Sequence, residues 1–245
     1  MKTVFLTGTN KGLGLEFVRQ YLKQGNRVIA TCRDMQKATE LMHLNDYYPK
    51  HLEILSMDLA DTKSIENLGN LLKNRVIDLF INNAATNVGY ITHSNQNVFG
   101  NLNPDTWSGV FDLNCVAPLL LAQTLYPNLL LGSDRKMIFL SAKTASISDN
   151  MSGGFYMNRS VRTALNQSVK SLSIDLLKDK IAVAAISPGW VATDSGGAGI
   201  ADESKRPKAM IDPVKSVSGM IAVIEDLGLQ KTGLFVDYKG EVIPW

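Results

Sequence analysis

Seven short apolar, β-rich runs recur along the chain, each separated from the next by residues of helical periodicity. The runs are 4–6, 27–32, 52–57, 76–82, 136–141, 181–187 and 234–237. Helical spacing fills 13–24, 34–44, 62–73, 104–131, 153–178 and 213–227. In the first of these, Leu15, Val18, Tyr21 and Leu22 share a face and Gly25 ends the pattern. The strands are mostly apolar, which suits burial on both faces of a parallel sheet. Right-handed crossovers then lay helices on both sides. The expected fold is a single α/β domain over 1–245, a doubly wound parallel sheet of about seven strands of the Rossmann type. A length of 245 residues, with 45% of them hydrophobic, supplies one continuous core, and there is no repeat or low-complexity linker.

Charge and cysteine usage narrow the function. A net charge of +2, with no basic tract interleaved by aromatics, argues against a nucleic-acid partner. Cys32 and Cys115 belong to no CxxC or Cys/His cluster, so neither a metal site nor a disulfide framework is expected. They read as small buried hydrophobes in a reducing compartment, and the expected location is the cytoplasm. The uncharged stretch Leu113–Ser133 contains Asn114, Pro118, Gln123, Pro127 and Asn128, and reads as a buried or interface helix rather than a membrane span. Its leucines exceed what one helix face can use, which fits a buried interface in a homo-oligomer. Residues 194–213 carry Gly196, Gly197, Gly199 and Pro207. They read either as a lid over a substrate or as a plain surface loop.

The first strand runs into Thr7-Gly8-Thr9-Asn10-Lys11-Gly12-Leu13-Gly14, which opens the first helix. Gly8 permits the tight turn, Gly12 lets backbone approach a pyrophosphate, and Gly14 allows close helix–strand packing, with the helix N-terminus facing the anion. The flanking strand and helix give this glycine pattern the context it needs. Arg33 closes the second strand, where an arginine favours a 2′-phosphate and an acid favours a free 2′-hydroxyl. Arg33 and Lys11 therefore suggest NADP over NAD, with neighbouring Asp34 pulling the other way. Asp58 and the segment Asn82-Asn83-Ala84-Ala85 end the third and fourth strands, where ligands bind in such sheets.

TGxxxGxG, Asn-Asn-Ala after the fourth strand, Asn114 in a long central helix and Pro188-Gly189-Trp190-Val191-Ala192-Thr193-Asp194 after the sixth together resemble the short-chain dehydrogenase/reductase family. The ending Val236-Asp237-Tyr238-Lys239-Gly240-Glu241-Val242-Ile243-Pro244-Trp245 resembles its C-factor-like branch. The resemblance covers essentially the whole chain. It implies that Gly8, Asn10, Gly12, Leu13, Gly14, Arg33, Asp58, Leu59, Asn82 and Ala84 line the adenine and phosphate half of a dinucleotide site. Pro188, Gly189, Val191 and Thr193 would line the nicotinamide half.

The family's catalytic set departs from this pattern. It uses a serine and a tyrosine on the substrate carbonyl, a lysine four residues after the tyrosine, and a supporting asparagine. The serine position here is Ala142 in Phe139-Leu140-Ser141-Ala142-Lys143-Thr144. Anchored on Arg159 and Ala164-Leu165-Asn166, the tyrosine position is Asn158 and the lysine position is Arg162. Asn114 is retained. The seven tyrosines, at 21, 47, 48, 90, 126, 156 and 238, have Gly25, His51, Leu52, Ser94, Leu130, Ser160 and Val242 four residues on, so no register restores a Tyr-x-x-x-Lys pair.

Loss of a general acid costs about 10²–10⁴ in rate, or roughly 3–5 kcal/mol of barrier. Tyr156, His93, Lys143 and Ser141 are the candidate replacements. Tyr156 reads as a donor reaching in from a shifted helix start or as a packing aromatic, and none of the four substitutes convincingly. The catalytic candidates are thus Asn114, Asn158, Arg162 and Tyr156, with Arg162 also toward the cofactor ribose and no metal ligands. The expected function is an NADP(H)-binding oxidoreductase by descent, with impaired or altered redox activity on small carbonyls or alcohols. Open beside it stand a non-redox cyclase, isomerase or lyase on the same scaffold, and a non-catalytic NADP-binding sensor.

Overall fold

In the computed structural model of the chain, the described residues are 1–86, 99–196 and 210–245. They build one seven-stranded sheet: β1 (Thr3–Thr7), β2 (Arg27–Cys32), β3 (Leu52–Ser56), β4 (Leu79–Asn82), β5 (Lys136–Leu140), β6 (Ala182–Ser187) and β7 (Leu234–Asp237). The spatial order is β3-β2-β1-β4-β5-β6-β7 with every pair parallel. The direction of winding reverses between β1 and β4. In such sheets ligands bind at that switch, outside the strands' carboxyl ends.

The helices are α1 (Gly12–Lys23), α2 (Thr39–Tyr47), α3 (Thr62–Leu71), α4 (Pro104–Phe111), α5 (Ala117–Leu130), α6 (Tyr156–Asp175) and α7 (Pro213–Asp226). They divide the core into two layers. Phe5, Phe80 and Phe139 point into the layer under α3, α5 and α6, while Val4, Leu6, Leu79, Ile81 and Ile138 point into the layer under α1 and α7. Alternate residues of one strand thus serve opposite layers, as the period of two requires. Phe80 packs edge-on against both Phe5 and Phe139, with ring centroids 5.9 and 5.7 Å apart.

Three boundaries differ from the periodicity. The second helix begins at Thr39 because Asp34 accepts a hydrogen bond from Gln36 N and caps a separate turn, Met35–Lys37. β4 begins at Leu79, with half-exposed Val76 left outside it and Asp78 taken up by Thr3 N and Ser133 N. The sixth helix begins at Tyr156 because Gly153, Gly154 and Phe155 are all left-handed, with φ of 62°, 65° and 50°. The long apolar helix contains a π turn, Asp112–Val116, between α4 and α5. Pro118 has no N–H to offer the Asn114 carbonyl, and the wider turn absorbs that missing bond. The helix lays Leu121, Ala122, Leu125 and Leu129 into the core, so the apolar stretch serves as a sheet-covering helix.

Candidate active-site cleft

The carboxyl ends of β1, β4, β5 and β6 open onto a cleft of about 930 Å³. Its first wall is the turn after β1. Gly8 has a φ of 69°, which a side chain would strain. Gly14 sits so close to the turn that a Cβ there would collide with the Gly8 carbonyl oxygen. Asn83 fixes this geometry by donating from Nδ2 to the carbonyls of Thr7 and Gly8, both at 2.9 Å. Thr7 Oγ1 in turn accepts from Asn83 N (3.0 Å) and Ala84 N (2.9 Å), which laces β1 to β4. Gly8, Asn10, Lys11, Gly12, Leu13, Gly14 and Ala84 all line the cleft.

The second wall is the segment after β6. Pro188, Gly189, Val191 and Thr193 line it, joined by Trp190, whose Nε1 donates to Gly196 O at 2.8 Å. Val191 pairs with Ile211 in a parallel bridge, and Ile211 N donates to Trp190 O at 2.7 Å, so the two ends of the 194–213 stretch are tied together. Most of that stretch, like Tyr90 and His93, lies outside the described residues. The walls meet where Lys11 Nζ pairs with Asp194 at 2.8 Å across the cleft.

Several expected residues stand elsewhere. Arg33 is exposed at the end of β2 and does not line the cleft, while Asp34 is taken up by Gln36 N and by Lys37 at 3.3 Å. Asp58 Oδ1 accepts from Ala60 N in the turn after β3, and Leu59 is buried in the core. Asn82 is buried beside Thr7, and its neighbour Asn83 takes the place at the cleft. Tyr156 is not brought to the cleft either: its ring lies 6.3 Å from that of Phe99, because the left-handed run before α6 turns it outward.

At the corner between β5 and α6, Ala142, Asn158 and Arg162 line one surface. Asn158 Oδ1 accepts a hydrogen bond from Thr144 Oγ1 at 2.8 Å. Arg162 is 8% exposed, and its Nη1 donates to Leu140 O at 2.9 Å while Nε has no partner. Among the described residues no carboxylate pairs with it, and burial pushes its guanidinium pKa down to about 10. Asn114 is one layer back. Its side chain accepts from Thr86 N at 2.8 Å and donates to Thr86 O at 2.7 Å, so it clamps the segment after β4. Ser141 Oγ is spent on buried Asn166, at 2.7 Å, and Lys143 pairs with Asp149 at 3.4 Å on the rim.

Reading the sequence did not single out Thr144, or Arg159, which lines the cleft and donates to Gly154 O, Thr144 O and Ser152 Oγ. Their spacing from Ala142 and Asn158 was visible, but not that a loop and a helix start would meet. Chemically, the corner offers hydrogen-bond donors and a fixed positive charge, but no acid of neutral pKa.

The geometry agrees with known proteins. The family model for short chain dehydrogenase matches residues 2–203. The C-signal of Myxococcus xanthus is 31% identical over 169 residues, covering 69% of this chain and 93% of that protein. An uncharacterized oxidoreductase of Schizosaccharomyces pombe is 26% identical over 100% of this chain and 98% of its own length. Among solved structures, the NADPH-bound carbonyl reductase from chicken fatty liver is 31% identical with a TM-score of 0.86, covering 100% of this chain and 99% of that one. The carbonyl reductase Sniffer of D. melanogaster is 28% identical with a TM-score of 0.87, covering 100% of both chains. By the reach of the family model along its sequence, by this identity and by the cleft at its topological switch, the chain belongs to the short chain dehydrogenase family.

Proposed function

We propose that the chain binds NADP(H) in this cleft and that its interconversion of small carbonyls and alcohols is slow or altered. The observation that carries this reading is the corner itself, where Ala142, Asn158 and Arg162 occupy the positions that resemblance assigns to serine, tyrosine and lysine. The nucleotide fits the residues present. The turn after β1 leaves no room for side chains at Gly8 and Gly14 and aims the N-terminus of α1 into the cleft, as a pyrophosphate requires. Exposed Arg33 adds a positive charge at the end of β2, and Asp34 does not oppose it because Lys37 and Gln36 occupy its carboxylate. The similar reductases from chicken liver and from Pseudomonas aeruginosa were solved with NADPH and NADP.

A bound nucleotide supplies hydride at its nicotinamide. The chain's own part is to orient both reactants and to move one proton. Pro188, Gly189, Val191 and Thr193 wall the nicotinamide half, and Arg162 lines the corner between β5 and α6. Asn158 can donate a hydrogen bond to a carbonyl oxygen, but its amide releases no proton near neutral pH, and neither does the Arg162 guanidinium. Thr144 is an unassisted alcohol that already donates to Asn158. Transfer is then left with orientation alone.

The test is calorimetric titration with NADPH and NADH, with turnover on a carbonyl panel, for the parent and for the Ala142→Ser, Asn158→Tyr, Arg162→Lys triple variant. NADPH should bind the parent more tightly than NADH, and the variant should turn over about 10²–10⁴-fold faster. A parent as fast as the variant refutes the reading of the corner. A parent that binds neither nucleotide refutes the cofactor. Binding without oxidation of any substrate moves the function to the non-redox or sensor class.

The same reading includes a cytoplasmic homodimer or homotetramer. Free, buried Cys32 and Cys115 suit a reducing compartment. Val116, Leu131 and Ile174 stand exposed on or beside the long helices.

A further inference from the structure

We infer that the corner formed by Arg162, Asn158 and Thr144 is an anion site that holds the carboxylate of a small acid. The inference deepens the function proposed above and rests on it for one point, that the acid lies beside the nicotinamide. The anion site itself is read from the side chains.

The charges lining the cleft decide the matter. Its four carboxylates all have partners: Glu16 and Glu40 with Arg19, Asp149 with Lys143, and Asp194 with Lys11. Two lining cations are left without an acid. Arg159 is satisfied by three neutral oxygens. Arg162 is not, since it is 8% exposed, makes one hydrogen bond, and keeps Nε without a partner. A buried guanidinium without a counter-charge is costly unless a ligand completes it.

Asn158 supplies the matching donor. With its Oδ1 held by the Thr144 hydroxyl, the group left over is the Nδ2 amide, which only donates. Ala142 adds no oxygen to the corner and leaves space where a hydroxymethyl would reach. With Nη1 spent on Leu140 O and Nε enclosed, the remaining guanidinium nitrogen and one amide donor suit a group with two acceptor oxygens and a full negative charge. A neutral carbonyl would leave the charge uncompensated. Phosphate is better served at the opposite end of the cleft, by the N-terminus of α1.

The experiment uses the full chain with benzoate as probe and neutral benzamide as its near-isostere. Binding is followed by calorimetry and by the fluorescence of Trp190 in the cleft wall. Each probe is titrated with no nucleotide and again with saturating NADPH, and NADPH is titrated alone. Benzoate should bind in the absence of nucleotide, benzamide about tenfold or more weakly, and benzoate should still bind with NADPH present. Arg162→Gln should weaken benzoate about tenfold to a hundredfold, with Arg162→Lys recovering most of the loss. Asn158→Asp, which keeps shape and adds a like charge, should also lose benzoate, so the test survives misfolding of either variant.

Equal affinity for benzoate and benzamide, no benzoate binding at all, or benzoate binding indifferent to Arg162→Gln and Asn158→Asp would each overturn the anion site. Failure of NADPH to bind while benzoate binds normally overturns the cofactor and spares the anion site. Displacement of benzoate by NADPH shows that Arg162 serves the nucleotide instead and overturns the inference.

Discussion

At the scale of single residues, Arg162 and Asn114 show how differently buried polar groups are handled. Asn114 makes two hydrogen bonds to the backbone of Thr86, and Asn114→Ala would remove both. The expected loss is about 2 kcal/mol in denaturant unfolding, with weaker nucleotide binding because the segment after β4 is released. Arg162 is the reverse case, a charge held without a counter-charge. Arg162→Met is expected to raise stability by about 1 kcal/mol. The pH dependence follows from the depressed guanidinium. The unfolded chain holds that proton more tightly than the native chain, so the native state is penalised at all pH values below about 10 and the penalty fades as pH rises beyond it. The stability gap between Arg162→Met and the parent should therefore be constant through neutral pH and narrow above about pH 10. A gap that widens there would mean the guanidinium is stabilised by its surroundings.

At the scale of elements, the strands and the glycine turn were legible because each is set by its own residues. Apolar runs fixed β1 to β7 to within a few positions, and the spacing of Gly8, Gly12 and Gly14 placed the turn. What escaped was what two elements decide jointly. Tyr156 sits two residues before Asn158 in sequence, yet three consecutive left-handed residues before α6 direct it to Phe99. Asn83 and Thr144 act through partners on another strand and another helix, which no local pattern encodes. The lacing of β1 to β4 can be tested. Thr7→Val removes the acceptor for Asn83 N and Ala84 N and should cost about 2 kcal/mol, visible as faster amide exchange at residues 83 and 84. Gly14→Ala drives a methyl into the Gly8 carbonyl, with an expected loss of about 1–3 kcal/mol and of measurable NADPH binding.

At the scale of the whole molecule, the sheet provides a rigid frame and the functional variation sits on its carboxyl rim. The two layers bury mainly aromatic and aliphatic side chains, whereas the cleft gathers paired charges around Arg159 and Arg162, which have no acid partner among the described residues. Assembly is the property of this scale that the sequence left between dimer and tetramer. Light scattering should give a mass above that of one chain, and Ile174→Glu, at an exposed position on α6, should lower it. The corner also says something about descent. A phenol at 158 would meet a guanidinium in place of an ammonium, an ammonium at 162 without the phenol has nothing to tune, and a serine at 142 alone gains no partner. No single reversal restores the full set, and the bond from Thr144 holds Asn158 in its present orientation. On the function proposed above, a return to serine, tyrosine and lysine takes three changes made together, whereas a change that improves the fit of a different ligand takes one.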